Sequence, residues 1–319
     1  MLPDRRALHQ RLTDWFARAA RDLPWRRRDC SAWGVLVSEV MLQQTPVTRV
    51  LPIWQEWMDR WPTPAALAAE PAGEAVRAWG RLGYPRRALR LYAAAAAITA
   101  DHDGVVPDSF DGLLTLPGVG TYTAAAVAAF AYGRRATVVD TNIRRVQARV
   151  ISGSALPAPT LSAAEMRLAA ALLPEEGAQS AKWNAAVMEL GALVCTARAP
   201  KCGNCPIRSE CAWLAAGQPA PSYVAKGQPW AGTDRQVRGA VMGVLRATRM
   251  PIQRELFFAP VPELGDDGLD GTTFSESLRS QLRRLHSLMA PESQLERAIE
   301  GLLQDGLAQS REGGLLLPD

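Results

Sequence analysis

Four of the five cysteines in this 319-residue chain lie within seventeen positions: Cys195, Cys202, Cys205 and Cys211. The gaps between them are six, two and five residues. Inside a cell such a cluster seldom forms disulfides, so convergence on metal is the leading reading. Four thiolates suit a single zinc ion as well as an iron–sulfur cluster. Arg198, Lys201 and Arg208 fall between the cysteines, so the metal would either hold a basic loop towards phosphate or brace the end of the fold. Cys30 stands apart and reads as a buried thiol rather than a ligand.

Two carboxyl groups form a second constellation. Glu39 sits in the apolar run at residues 33–42, Trp-Gly-Val-Leu-Val-Ser-Glu-Val-Met-Leu. Burial there would raise its pKa and keep a proton on it near neutrality, unless a nearby arginine turns it into a buried ion pair. Asp140 follows Val138-Val139 and precedes a helical pattern, the position of an N-cap. A capping carboxylate stays ionised, which is what stabilising a cation demands. Opposed protonation states in two carboxyls would suit acid–base work, one group donating a proton while the other stabilises positive charge. Between them lies Leu113-Leu114-Thr115-Leu116-Pro117-Gly118-Val119-Gly120, a tight turn directly before a helix starting at Thr121. The backbone N–H groups around Gly118, Val119 and Gly120, with the positive end of that helix, would hold one phosphate.

The elements that must position these groups are helices. Apolar residues recur at helical spacing over residues 4–20, 33–42, 64–69, 73–79, 86–99, 121–131, 142–151, 163–173 and 181–194, with Pro46 and Pro52 punctuating the chain after the second of these. Little before Pro221 alternates as a sheet requires. Residues 217–233 carry three prolines and three glycines and read as a linker. Beyond it, residues 235–248 and 295–305 look helical, and residues 308–317, with Gly313-Gly314, suggest a hairpin. That tail resembles a small winged-helix module. At 48% hydrophobic residues the chain buries a sizeable core, and no apolar run approaches the roughly 18 residues of a membrane span. The N-terminus opens on charged residues, so an intracellular, cytoplasmic protein is expected. The net charge of +4 excludes little. Arginine knots at 26–28, 86–87, 134–135 and 144–145 lean towards a polyanion partner.

The hairpin followed by Asp140, with the C-x6-C-x2-C-x5-C spacing, resembles the helix-hairpin-helix glycosylases of the endonuclease III superfamily over roughly residues 20–215. The resemblance implies a mainly α fold of two helical lobes, a [4Fe–4S] cluster rather than zinc, and a double-stranded DNA partner carrying a mismatched adenine, bound by a monomer. The lobes would be residues 1–30 with 135–216 around the cluster, and 31–134 as a helical barrel bearing the hairpin. A linker at 217–234 and a small C-terminal domain at 235–319 would follow. Within the superfamily, Ser38-Glu39-Val40-Met41-Leu42-Gln43-Gln44-Thr45 is similar to the active-site segment of MutY-type adenine DNA glycosylases.

That resemblance implies excision of adenine opposite 8-oxoguanine or guanine, with Glu39 as general acid and Asp140 stabilising the sugar cation. Tyr122 and Asn142 would orient the carboxylate and water. Tyr122 stands where strand-cutting relatives carry a lysine, so the enzyme is expected to release the base without cutting the backbone. Gln44 and Thr45 would fill the gap left by the flipped base, Tyr84 would wedge beside its partner, and Trp25 and Arg26 would border the adenine pocket. Departures from the family pattern are Pro85 in place of a second tyrosine, Thr141 in place of glycine, and a tail too short for the MutT-like domain that family members often carry. The competing readings are another mismatch glycosylase, for example one acting on thymine opposite guanine, and a redox-sensing DNA-binding regulator.

Overall fold

The computed structural model describes residues 4–223, 227, 229–258 and 275–319. Two compact units divide the chain: residues 1–39 with 106–226, and residues 40–105 with 227–319. In chain order the first helices are α1 (Arg5–Ala19), α2 (Ala32–Met41), α3 (Val47–Arg60), α4 (Pro64–Ala68), α5 (Ala72–Ala78) and α6 (Arg86–Asp101). After them come α7 (Phe110–Leu114), α8 (Thr121–Tyr132), α9 (Thr141–Val150), α10 (Ala163–Leu172), α11 (Gly177–Leu193) and α12 (Ala212–Ala215). None of the helices is long and apolar enough to cross a membrane among the described residues.

In the first unit α11 is the central element, contacting α1, α8 and α9. Its core gathers Leu8 and Leu12 from α1, Ile143 and Val146 from α9, and Trp183 and Leu190 from α11, with Ile207, Cys211 and Trp213 sealing the far end. The cysteine segment is therefore built into this core.

In the second unit α4 and α5 lie on α6. Trp57 meets Trp61 and Trp79 edge-on, with ring centroids 4.9 and 5.6 Å apart. Pro46 caps α3 as its punctuating role predicts, but Pro52 lies inside that helix. An interior proline forfeits a backbone hydrogen bond; the buried stripe of Val50, Trp54 and Trp57 outweighs the loss.

The tail joins this unit as α13 (Asp234–Arg246), β1 (Ile252–Gln253), α14 (Glu276–His286), α15 (Glu292–Gln304), β2 (Gln309–Arg311) and β3 (Gly314–Leu316). The strands form an antiparallel sheet in the order β1-β3-β2, with Ile252 opposite Leu315 and Gln309 opposite Leu316. Helix, strand, two helices and a hairpin in that sheet order are the winged-helix arrangement. Sequence patterning located α13, α15 and the hairpin but passed over β1 and α14. Part of the expected linker, residues 224–226 and 228, lies outside the described residues.

Polar contacts fasten the tail to α5. Glu74 receives hydrogen bonds from Arg60, Arg77 and Arg249 at 2.7, 3.0 and 2.9 Å. The Arg249 guanidinium, helped by Arg60 and Arg77, overcomes burial and holds the Glu74 carboxyl at about 2. Gly73 N–H donates to the Pro318 carbonyl at 2.7 Å, an approach in which any Cβ on residue 73 would lie 2.4 Å from that oxygen.

Candidate active site

Glu39 is the last residue of the first unit and is 6% exposed in the apolar helix α2. Its Oε2 accepts a 2.9 Å hydrogen bond from the Tyr122 hydroxyl, which α8 delivers one residue after its start. Burial pushes the Glu39 carboxyl up to about 7; the Tyr122 bond and the Arg26 charge pull it down, while the charge of Asp140 pushes it further up. The alternative, an ion pair with an arginine, does not form: Arg26 acts on Glu39 through space, and its Nη2 bonds to Glu189 instead, at 2.9 Å. Tyr122 is itself raised well above its ordinary value, by burial first and then by the two carboxyls, so it stays a donor.

Asp140 caps α9. Its Oδ1 accepts from Ile143 N–H at 2.7 Å, and its Oδ2 accepts from the Asn142 side-chain amide at 2.7 Å. Burial raises its pKa, against those hydrogen bonds and the nearby Arg145. The simple expectation of an unperturbed carboxylate is thus modified, because capping and desolvation pull in opposite directions. The two orienting residues also divide differently from the sequence reading. Asn142 serves Asp140, whereas the hydrogen bond of Tyr122 goes to Glu39.

Behind this pair stands a group that the sequence reading missed. Glu189 of α11 is fully buried and receives both Nε and Nη2 of Arg21, at 2.8 and 2.7 Å, as well as Arg26. Burial opposes its charge, but the two guanidinium groups hold it at about 2. A glutamate in the otherwise apolar stretch Val187-Met188-Glu189-Leu190-Gly191 was the available signal. Gly191 matters equally: a Cβ there would lie 2.6 Å from Asn142 Cβ and 3.0 Å from its Cα. Only glycine lets α11 come this close to the start of α9.

The hairpin lies between α7 and α8. Gly118 adopts φ +75°, and Gly120 begins α8 with no side-chain cap. Val119 buries its side chain, leaving the backbone as what the turn presents.

In the second unit, Gln44 and Tyr84 both adopt left-handed backbone conformations, φ 55° and 48°, and both are exposed. Such conformations cost non-glycine residues roughly 1 kcal/mol and cluster at functional sites. The buried guanidinium of Arg87 holds both. It donates to the Val40 and Gly83 carbonyls at 3.0 and 3.1 Å, to Thr45 Oγ1 at 3.2 Å and to the Gln43 carbonyl, and lies 5.3 Å from the Tyr84 ring centroid. Thr45 is buried with its hydroxyl engaged in this loop, so it is Gln44 whose side chain reaches the surface. Trp25 is also buried, at 7% exposure.

The arginine knots, read from sequence as phosphate contacts, are largely engaged in the fold. Arg144 holds Glu165 at 2.9 Å, Arg145 holds the Cys195 and Gly191 carbonyls at 2.7 and 2.8 Å, and Arg134 pairs with Asp108.

The cysteines satisfy the requirements of an iron–sulfur site in their chemistry. All four are free thiols, and Cys205 feels the charges of the other three. Burial, with those charges, pushes the Cys205 thiol up to about 11. Thiolates so poorly solvated need metal to take their charge. Among the described residues no three Cys, His, Asp or Glu side chains gather as ligands of a single ion. Arg149 donates to Cys195 Sγ at 3.4 Å and lies over the Trp213 ring, tying the segment to the α9 core.

A helical fold carrying a hairpin, a buried carboxyl pair and an iron–sulfur segment defines a base-excision DNA repair protein of the helix-hairpin-helix class. Accordingly, the family model described as "HhH-GPD superfamily base excision DNA repair protein" matches residues 37–170, and the "iron-sulfur binding domain of endonuclease III" matches residues 195–211. The chain is 48% identical over 303 residues to an adenine DNA glycosylase of Mycolicibacterium smegmatis, covering 95% of this chain and 93% of that one. It is 52% identical over 245 residues to an adenine DNA glycosylase of Mycobacterium tuberculosis, covering 76% and 80%. Among solved structures, a thermostable thymine-DNA glycosylase aligns with a TM-score of 0.60 at 29% identity, covering 66% of this chain and 97% of that one. The chain belongs to the adenine DNA glycosylase family.

Proposed function

We propose that this protein removes adenine paired with 8-oxoguanine or guanine, hydrolysing the N-glycosidic bond and leaving the backbone intact. The observation that carries this reading is Glu39: a carboxyl pushed up to about 7 holds a proton near neutrality, and Tyr122 fixes its orientation. Adenine leaves poorly until a ring nitrogen is protonated. Glu39 donates that proton to the flipped base, and the glycosidic bond breaks with its electron pair going to the purine. The sugar is left as an oxocarbenium-like cation, which Asp140 stabilises while Asn142 holds the carboxylate. Water adds to the sugar carbon and loses its proton to a carboxylate, completing hydrolysis. Residue 122 offers a hydroxyl and no amine, so no Schiff base forms with the sugar.

The remaining assignments extend the same reading. Trp25 and Arg26 line the base pocket, Arg26 being held by Glu189. Gln44 fills the gap in the duplex, with Thr45 fastening its loop, and Tyr84 wedges beside the partner base. The backbone of Gly118, Val119 and Gly120 receives a phosphate of the adenine strand. Cys195, Cys202, Cys205 and Cys211 would hold a [4Fe–4S] cluster, which supplies a rigid cross-link in the core of the first unit. The protein acts as a monomer inside the cell, at the nucleoid.

Single-turnover base release from duplexes with each base opposite 8-oxoguanine and guanine tests the reading. Adenine should be released, and Glu39→Gln and Asp140→Asn should each slow release by about a thousandfold, within the range that a positioned acid or base contributes. Release of thymine in place of adenine, or intact activity in both variants, would overturn it.

A further inference from the structure

The second unit contains a cleft of 1070 Å³, to most of whose lining, beyond Gln44 and Tyr84, the proposed function gives no role. One side is formed by the Gln43-Gln44 loop, the turn from Gly80 to Tyr84 and the first turns of α6; the other by α13 and α14 of the winged-helix tail. Nine arginines line it against one acidic residue, Asp305. Some of these are already engaged. Asp305 pairs with Arg86 and Arg238, Arg87 holds the loop described above, and Arg246 donates to the Val76 carbonyl at 3.0 Å. Arg81, Arg90 and Arg284 are exposed, and their guanidinium groups make no hydrogen bond or ion pair among the described residues. They come from three separate elements, so the positive charge belongs to the cleft rather than to one helix face. Two exposed aromatic side chains, Tyr84 (55%) and Trp230 (58%), stand on the same lining.

Unneutralised guanidinium groups with exposed aromatic rings are the combination that holds a nucleic-acid strand: arginines follow phosphates, and rings stack on bases. A cleft walled by low-dielectric protein also focuses its positive field more than a flat patch does. We propose that this cleft seats the strand opposite the excised adenine, the tail supplying phosphate contacts that extend the footprint beyond the partner base. The direction follows from continuity, because Tyr84 and Gln44 form both the wedge at the partner base and one wall of the cleft. The proposal rests on the proposed function in that one respect. It gives the tail a role unlike that of a reading helix inserted in a groove. The helix before the wing hairpin, α15, exposes Glu292, Glu296 and Glu300 against one exposed arginine, Arg297, and would repel phosphate, whereas α13 turns Arg235, Arg238 and Arg246, and α14 turns Arg284, to the cleft.

The full-length protein carrying Arg90→Glu and Arg284→Glu together tests this, with Arg90→Gln/Arg284→Gln as a milder pair should charge reversal lower the melting temperature. Binding is measured on a duplex with a stable abasic analogue opposite 8-oxoguanine or guanine. Both pairs should weaken binding, the reversal by roughly tenfold or more at physiological salt, and the slope of log K against log salt should fall by about 2. Single-turnover release at saturating DNA should be unchanged. Neutral methylphosphonate linkages placed in the partner-base strand should weaken wild-type binding and affect the double variants much less. Wild-type affinity and slope in both variants would overturn the proposal, as would methylphosphonate sensitivity confined to the adenine strand. Failure of the wild-type protein to release adenine would instead overturn the proposed function, so the two outcomes are distinct.

Discussion

The Tyr122 hydroxyl lies 2.9 Å from Glu39 Oε2 and donates to it, although the two residues are 83 positions apart. The bond joins the start of the helix after the hairpin to the acidic residue buried in α2. It makes residue 122 a partner of the proposed general acid, Glu39, rather than of Asp140. A hydrogen bond to a carboxylate lowers its pKa, so Tyr122 also limits how far burial raises Glu39.

Base release should therefore depend on pH through Glu39. The acid form is active, and with a pKa of about 7 it is present below that value and lost above it. The single-turnover rate should fall roughly tenfold per pH unit on the alkaline side. The same shift affects stability with a defined sign. Below the usual carboxylate range neither state is ionised and Glu39 costs nothing. As pH rises from there through about 7, the unfolded chain gains an ionisation that the native state resists. Glu39→Gln should then raise the melting temperature at pH 8, by a stabilisation on the order of 1–3 kcal/mol, and leave it nearly unchanged at pH 4. Calorimetric melts at the two pH values check this; equal effects at both would contradict a raised Glu39.

Gly191→Ala should damage catalysis without touching substrate. The added methyl would sit 2.6 Å from Asn142 Cβ, so α11 and the start of α9 must move apart. Asn142 carries the hydrogen bond to Asp140 Oδ2, and Arg145 on the same turn reaches both Asn142 and the Gly191 carbonyl. A displacement near 1 Å at a positioning residue is worth about a hundredfold in rate. The prediction is a drop of about that size in single-turnover release, with DNA affinity within a few-fold of wild type. Overpacking should also cost about 1–3 kcal/mol of stability, read in a denaturant melt.

Tyr122→Lys should change the reaction rather than only weaken it. An ammonium in place of the hydroxyl puts a positive charge beside Glu39 and favours its ionised form. Adenine release at pH 7.5 should fall by at least about tenfold, with the pH optimum moving down. The same amine can attack the sugar carbon, so borohydride should trap a covalent protein–DNA adduct and strand nicking should appear. Absence of any adduct would mean that residue 122 does not reach the sugar.

How far these features could be read from sequence follows a physical pattern. Helical periodicity located most helices because amphipathic spacing survives any tertiary context, and the cysteine spacing and hairpin are local. Pro52 misled because interior packing outweighed a local rule. The leucines of α14, Leu278, Leu282 and Leu285, have helical spacing that was passed over, while β1, two residues long, has no detectable period. At the site, Glu39, Asp140 and Tyr122 were legible through motif resemblance. Glu189 and Gly191 were not, because their importance lies in contacts with Arg21, Arg26 and Asn142, more than forty residues away along the chain. The arginine knots were read as binding surface because sequence shows charge but not its partner.

Arg87 gives the clearest case of that last point. The pair Arg86-Arg87 suggests phosphate binding, yet Arg87 is 7% exposed and spans two segments of backbone, Val40 to Thr45 and Gly83. Burial lowers its pKa, and the carbonyl and hydroxyl oxygens around it take up its two Nη groups, while its buried Nε has no partner. A lysine offers one compact charge and cannot replace a planar fork across so many acceptors. Arg87→Lys should leave buried carbonyls unsatisfied, costing about 1–3 kcal/mol in a denaturant melt. It should also free Gln44 and Tyr84 to relax from their left-handed conformations, blunting the wedge proposed for them at the partner base. The expected kinetic signature is weaker binding of mismatched duplex, by roughly tenfold, with the chemical step at saturating DNA nearly unchanged. A fluorescent base analogue next to the partner position should show reduced unstacking in the complex. Normal unstacking with Arg87→Lys would mean that the wedge holds its shape without this residue.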